Sequence, residues 1–513
     1  MASKRIARNV LFNWLALGVG MLVNFFVAPY VVHHLGSMLY GVWVLAISLS
    51  SYMNLLDVGL RGAVMRYVSV GYTQGHHQES NETVSGAMWL RVWLSGAVIL
   101  TSIGFAAGFH RLFHVAPEAE ASARLVILLT AAAIAINLSF GVFAGVLAAL
   151  HRFDWLSGIT MAQTTFRAVG MVVLLSRGHG IIALAIWEVC TALLTRSLQV
   201  ITAFRIYPQL RLLLRTPSRE TLRKLWSYSV YTFIINVAVQ IAYYTDNVVV
   251  GAFLSTTAVT FYAIGGSLLA YARQAVNAMT QTFTPLASSY EAEGRMDSLR
   301  RLLIHGTRAA LVVSLPIELA LFFRGHTFIR LWMGEQFAHP SGTVLQILLI
   351  SLIFTSANTT SYGIVTGIAK HQRVAYWGIV EAALNLALSI VLVRYIGIYG
   401  VAWGTTLPNL FVEVVLWPPY VCRLVQMPLR HYLWQTWLRT GLASLPFAAG
   451  CYLADRHWQA RNLPEFFLQI AALLVLFAFG LLLIYRNEFG VEAKAQMRRF
   501  GFFSDARLDS TRS

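Results

Sequence analysis

EFFLQIAALLVLFAFGLLLIY, residues 465–485, carries one charge at its first position and none afterwards. At 1.5 Å per residue a helix of this length measures about 30 Å, the thickness of a bilayer's hydrocarbon core. No water reaches the backbone there, so the run must hydrogen-bond its own amides, and a helix does that. A barrel strand would alternate apolar and polar positions, and this run does not. Similar runs lie near residues 10–32, 40–60, 84–109, 124–150, 154–175, 181–204, 226–250, 257–284, 303–323, 341–366, 374–393, 400–421 and 434–453. The expected fold class is an all-α polytopic membrane protein of about 14 transmembrane helices. Composition agrees: of 513 residues, 57% are hydrophobic and 12% charged, with a mean hydropathy of +0.62. That balance excludes an ordinary soluble protein.

Thirty-nine Lys and Arg against 22 Asp and Glu give a formal charge of +17. Sorted by loop, the cations favour one side of the membrane by roughly three to one, which makes both termini cytoplasmic. The excess therefore belongs to cytoplasmic loops, and no basic stripe interleaved with aromatics points to nucleic acid. Cys190, Cys422 and Cys451 are isolated and suggest neither a disulfide framework nor a metal cluster.

The cytoplasmic stretch from Arg205 to Lys224 holds six cations with Pro208 and Pro217 near the chain's midpoint, and reads as a linker between halves. Across it the sequence repeats. Val31, Leu35, Ser48, Leu49 and Tyr52 fall on Val250, Leu254, Ser267, Leu268 and Tyr271 at an offset of 219 residues, Trp43 falls on Tyr262, and Gly178 on Gly397. Duplicated bundles are common in transporters. The expected organisation is an N-lobe (residues 1–204), the basic linker (205–225), a C-lobe (226–422), two further helices (423–485) and a cytoplasmic tail (486–513).

Polar residues in hydrocarbon need a partner or a wet cavity, so stripes at helical spacing locate an interior. Asn236, Gln240, Tyr243 and Asn247 share one face of the seventh span, with Asp246 beside them, and Ser267, Tyr271, Gln274, Asn277 and Gln281 share one face of the eighth. Arg91, Arg167 and Arg273 lie too deep in their spans to reach the interface. Arg61 follows Asp57 by four residues, so a local ion pair and a ligand contact are both open. Asp246, Glu188 and Glu381, together with Glu318 and Glu413, are candidates to bind a coupling proton or sodium ion, or to neutralise an arginine. Catalytic chemistry is not visible. The first external loop, His33 to Leu39, lacks carboxylates, the pairs His33–His34 and His76–His77 lack further ligands, and no phosphate-binding Gly-rich loop occurs.

Leu35-Gly36, Tyr40-Gly41-Val42-Trp43 and Leu56-Asp57-Val58-Gly59-Leu60, running on to Arg66-Tyr67, resemble the polysaccharide-transport branch of the multidrug/oligosaccharidyl-lipid/polysaccharide (MOP) flippase superfamily, which contains the Wzx-type O-antigen and exopolysaccharide flippases. Gly397-Ile398-Tyr399-Gly400-Val401-Ala402 adds to the resemblance. It implies two pseudo-symmetric six-helix lobes plus two C-terminal helices, in a bacterial inner membrane. It further implies a non-enzymatic flippase, working by alternating access, that carries undecaprenyl-diphosphate-linked oligosaccharide to the outer leaflet for lipopolysaccharide or exopolysaccharide synthesis. Its expected partners are that lipid-linked oligosaccharide, membrane lipids, and the polymerase and chain-length proteins of the pathway. No cofactor is expected beyond a coupling proton or sodium ion. Arg suits a diphosphate by forked hydrogen bonding. Arg273, Arg91, Arg167 and Arg61 are then expected on the head group, and Tyr52, Tyr271, Gln240 and Gln274 on sugar. Lipid II flippases would carry an Arg about six residues before the segment from Asp57 to Gly59, where Met53 and Asn54 stand, which argues against a peptidoglycan precursor. A drug or cation antiporter of the same superfamily, and a polytopic membrane glycosyltransferase or ligase, are the alternatives.

Overall fold

The computed structural model describes residues 2–53, 58–113, 117–213, 216–223, 245–280, 283–370 and 372–499. All elements among these described residues are helical, with no strand, as the need for an internally bonded backbone requires. In chain order they are α1 (Ala2–Met53), α2 (Val58–Gln74), α3 (His77–Leu112), α4 (Pro117–Phe140), α5 (Val142–Ala149), α6 (Phe153–Ser176), α7 (Ile181–Ile206), α8 (245–253), α9 (Thr256–Thr280), α10 (Phe283–Ala292), α11 (Met296–Met333), α12 (Glu335–Gly367), α13 (Gln372–Ile396), α14 (Ile398–Phe411), α15 (Trp417–Leu424), α16 (Leu429–Leu433), α17 (Arg439–His457) and α18 (Leu463–Arg499). Two π-helical turns, Val412–Leu416 and Trp434–Leu438, join α14 to α15 and α16 to α17.

The described residues do not confirm the expected count of 14 spans. Among the described residues nine helices are long and apolar enough to cross a bilayer, and the pair Ile398–Leu424 and Leu429–His457, bent by 113°, offers a tenth. The causes are local. The first two expected spans lie in one helix, α1, interrupted at Gly36 (φ 75°, ψ 163°). The seventh falls largely outside the described residues, α9 is made more polar by its own stripe, and the twelfth and thirteenth are the bent pair, which turns at the break between Leu424 and Leu429.

The sequence repeat has a structural counterpart. α3 opens at His77 and α11 at Met296 (296 − 77 = 219), and α6 and α13 open at Phe153 and Gln372 at the same offset. Gly75 and Gly294, two residues before α3 and α11, take φ of +75° and +67°. These left-handed turns suit a residue without a Cβ. Gly178 and Gly397, before α7 and α14, repeat the pattern at +77° and +60°.

By packing, the chain forms two compact units, one of Met1–Ser267 with Gln372–Pro408, the other of Leu268–His371 with Asn409–Ser513. In the first, Val64, Val68 and Val84 of α2 and α3 pack on Val142, Val146 and Leu147 of α5. In the second, Leu311 and Leu315 of α11 pack on Ala357 of α12, and Phe447 and Cys451 of α17 on Phe477 of α18. Lipid is as apolar as these side chains, so close packing and interhelical hydrogen bonds hold such helices together.

The linker is held down at its start. Asn81 of α3 donates to the carbonyl of Gln209 (3.1 Å) and accepts from the amide of Arg211 (3.0 Å), and Ser85 accepts from the amide of Leu213 (2.8 Å). Burial holds the Tyr207 hydroxyl above its ordinary range, and it shares a hydrogen bond of 2.8 Å with His77 Nδ1.

Candidate functional site

The α13–α14 hairpin is unusually close because α14 carries small residues where the helices touch. A Cβ at Gly404 would lie 2.6 Å from the backbone nitrogen of Ser389 and 2.7 Å from its Cα. This approach brings Asn385 and Ser389, one turn apart on α13, against Val401 and Thr405, one turn apart on α14. Asn385 Nδ2 donates to Thr405 Oγ1 at 3.1 Å, and Ser389 Oγ lies 3.4 Å from both Asn385 Oδ1 and the Val401 carbonyl.

Asp246 of α8 completes the cluster. Its Oδ2 accepts from the hydroxyl of Tyr262 on α9 at 2.6 Å and from that of Thr405 at 2.8 Å. Asp246 is 7% exposed, and Ser389 is fully buried. Beside it Asn247 donates to the buried Ser48 Oγ at 3.1 Å. One carboxylate thus meets two hydroxyls, with amide and carbonyl oxygens one hydrogen bond further on, within a single group of helices. An all-oxygen set of this kind suits a proton or a hard cation rather than a metal preferring nitrogen or sulfur. Among the described residues no group of three or more His, Cys, Asp or Glu could hold a metal ion.

The duplicate of this place in the first half is filled differently. At the 219-residue offset, Asn385, Ser389 and Thr405 correspond to Phe166, Gly170 and Ile186. The indole of Trp187 occupies the space over Gly170, stacks on Phe166 with centroids 4.5 Å apart, and donates to the carbonyl of Arg167 at 3.2 Å.

The other sequence-derived candidates are dispersed. Arg167 of α6 forms an ion pair with Glu188 of α7, so two of them meet each other. Arg91 has no exposed surface and donates to the carbonyl of Leu138 at 3.5 Å. That carbonyl lies near the end of α4, where a positive charge complements the helix dipole. Arg61 is exposed in the first turn of α2, and Glu381 is half-buried on α13. On α9, Tyr271 and Arg273 are half-buried and Gln274 is exposed. Their spacing puts Tyr271 and Gln274 on one face and Arg273 on another. The side chain of Tyr52, and Gln240 altogether, lie outside the described residues, as do Asn236, Tyr243, Gln281 and Asp57.

Sequence reasoning passed over Asn385, Ser389, Thr405 and Tyr262, each a single polar group of the kind that usually joins helices. It counted Glu413 among the deeper acids but did not find its partners. Glu413 is the second residue of the π-helical turn after α14 and accepts from Asn358 (2.7 Å) and Tyr362 (3.0 Å) of α12. A signal was present, since Thr355-Ser356-Ala357-Asn358-Thr359-Thr360-Ser361-Tyr362 is a polar run inside an apolar span, and π-turns often mark functional positions.

Comparison with known proteins agrees with the fold. The chain is 21% identical over 427 residues to the membrane protein EpsK of Bacillus subtilis, covering 81% of this chain and 83% of that one. It is 22% identical over 432 residues to the probable low-salt glycan biosynthesis flippase Agl15 of Haloferax volcanii, covering 83% and 85%. The solved structure of the lipid II flippase MurJ, in an inward closed conformation, superposes with a TM-score of 0.73 at 17% identity, covering 93% of this chain and 99% of that one. The family model for polysaccharide biosynthesis proteins begins at Leu35, where the resemblance read from sequence begins, and matches residues 35–341, more than half of the chain; the protein belongs to that family.

Proposed function

We propose that this protein is a flippase that moves undecaprenyl-diphosphate-linked oligosaccharide from the cytoplasmic to the outer leaflet by alternating access, coupled to a proton or sodium ion at Asp246. Family membership over residues 35–341 carries the glycan-biosynthesis part of this reading. The oxygen cluster around Asp246 supports the coupling part, because a carboxylate within membrane-spanning helices marks an ion pathway. We assign the head-group role first to Arg273, half-buried, and Arg61, exposed. Arg91 is fully buried and Arg167 is bound to Glu188, so they rank behind. Tyr271 and Gln274 share a helix face suited to sugar hydroxyls, with Tyr52 and Gln240 as further candidates. Glu188 already neutralises Arg167, which leaves Asp246 ahead of it and of Glu381 for the ion.

The test is the leaflet position of lipid-linked oligosaccharide in cells depleted of the protein, read by access of a membrane-impermeant reagent from each side of vesicles. Intact oligosaccharide accumulating on the cytoplasmic leaflet supports the flippase. Loss of the full-length glycan, with shorter lipid-linked intermediates building up, points to an enzyme and overturns the transport reading.

A further inference from the structure

The second unit carries a buried carboxyl that none of these roles uses. Glu318 lies on α11, two residues past Pro316, with no exposed surface. Its Oε1 accepts a hydrogen bond from Ser356 of α12 at 2.5 Å. Its Oε2 is buried and has no hydrogen-bond partner. One turn earlier, the hydroxyl of Ser314, also fully buried, lies near the same carboxyl without a well-formed hydrogen bond, and a spacing of four residues puts both groups on one face of the helix. The same stretches of α11 and α12 bury Leu311, Leu315 and Ala357, so the surroundings are apolar. An unsatisfied carboxyl oxygen and an unsatisfied hydroxyl are each costly in such a medium.

Charged and titratable groups on the helices packed against this part of α11 are engaged elsewhere. Arg308 and Arg439 both bond Gln435, and Arg439 lies over the Tyr485 ring. Arg324 bonds Gln469, Asp455 accepts from Thr327, Tyr432 meets Thr307, and Glu413 accepts from Asn358 and Tyr362. None of these bonds reaches Glu318.

The duplicate half shows that helix packing does not require this arrangement. At the 219-residue offset Ser314 corresponds to Ser95 and Glu318 to Ile99. Ser95 is fully satisfied, by the carbonyls of Arg91 (2.7 Å) and Ala135 (3.0 Å) and by Ser139 (2.9 Å), while Ile99 is exposed. Only the second copy has a carboxyl there, and only there does the serine lack a well-formed hydrogen bond.

We infer that Glu318, Ser314 and Ser356 form a second binding site for a small monovalent cation, a proton or a sodium ion, held by oxygen atoms of α11 and α12. A proton on Oε2 gives Ser314 Oγ a donor. A sodium ion takes both oxygens as ligands, in keeping with the preference of hard cations for oxygen. Either occupant satisfies both atoms at once. The inference deepens the transport reading and rests on it for its role in coupling, but occupancy is measurable without any flipping.

The test uses purified full-length protein in lipid nanodiscs, with wild type, Glu318→Gln, Ser314→Ala and Asp246→Asn compared in two arms. One arm counts radioactive sodium bound per chain at saturation; the other counts protons taken up per chain on acidification. The expected result is that Glu318→Gln loses one ion per chain while the Asp246-dependent ion is retained, which also shows that the variant is folded. The arm in which the ion is lost tells a sodium site from a proton site. Ser314→Ala should weaken binding of that same ion about tenfold and leave the Asp246 ion unchanged. Glu318→Gln matching wild type in both arms, or Ser314→Ala leaving the affinity unaltered, overturns the site. A protein that binds this ion yet leaves lipid-linked oligosaccharide transport intact when deleted from cells would overturn the transport reading and leave the site standing.

Discussion

Replacing Gly404 with alanine asks whether the Asp246 cluster depends on the closeness of α13 and α14. The new Cβ would lie 2.6 Å from Ser389 N and 2.7 Å from Ser389 Cα, whereas ordinary contact starts at 3.4 Å. The Ser389 hydroxyl, nearest of all, can swing aside, but the two backbone atoms cannot, so the helices must part by about 0.8 Å. Overpacking of this kind costs about 1–3 kcal/mol, against about 1 kcal/mol gained by alanine over glycine in a helix. The same movement stretches the Asn385–Thr405 bond from 3.1 Å to about 3.9 Å, beyond hydrogen-bonding range, at a further cost of about 1 kcal/mol. The net expectation is a loss of about 1–3 kcal/mol in stability, with roughly tenfold weaker cation binding for each 1.4 kcal/mol that falls on the site. The assay is thermal unfolding in detergent with and without saturating sodium, since an ion that binds only the folded state raises the midpoint. Gly378→Ala on α13 is the control: nothing lies within 4 Å of a Cβ there, so it should raise the midpoint. Gly404→Ala melting at or above wild type, with an unchanged response to sodium, would refute the argument.

Thr405→Val removes the hydroxyl that joins Asp246 to Asn385 and should weaken ion-dependent stabilisation about tenfold, read by the same unfolding assay. Arg167→Ala leaves Glu188 without its partner, and a double-mutant cycle with Glu188→Ala should return a coupling of about 1–2 kcal/mol, since the pair is partly exposed; a coupling near zero would mean that the pair holds nothing together. Arg273→Ala should abolish surface-glycan export at normal protein level, with Arg273→Lys only partly active if a forked contact to diphosphate matters; normal export by the alanine variant would remove Arg273 from the site.

Most of the helical architecture was legible in the sequence because hydrocarbon leaves the backbone no alternative. Runs such as 465–485 announce themselves by composition. The repeat was equally visible, since a fixed offset survives as glycines that must turn left-handed, at Gly178 and Gly397. The number of spans was less so. Gly36 interrupts a helix without any loss of hydropathy, and the pair after Ile398 turns at a short break between Leu424 and Leu429 that hydropathy does not register. At the candidate site only Asp246 was visible, because a buried carboxylate is rare enough to stand out. Asn385, Ser389 and Thr405 come from helices about 140 to 160 residues further along, and each alone looks like an ordinary contact between helices. The pairing of Arg167 with Glu188 was one of two open alternatives, since the residues lie 21 positions apart on different helices.

The indole over Gly170 has an electrical consequence. Where the second half holds the Asp246 carboxylate among exchangeable oxygens, the first half holds a neutral aromatic plug next to an internally cancelled ion pair. A membrane potential of 100 mV exerts about 2.3 kcal/mol on one elementary charge moved fully across, so at these paired positions voltage has purchase on the second half alone. Current from proteoliposomes on a solid-supported electrode, recorded after a sodium or pH jump, should therefore fall in Asp246→Asn and persist in Trp187→Phe. Equal loss in both variants would show that the first half also carries charge through the field.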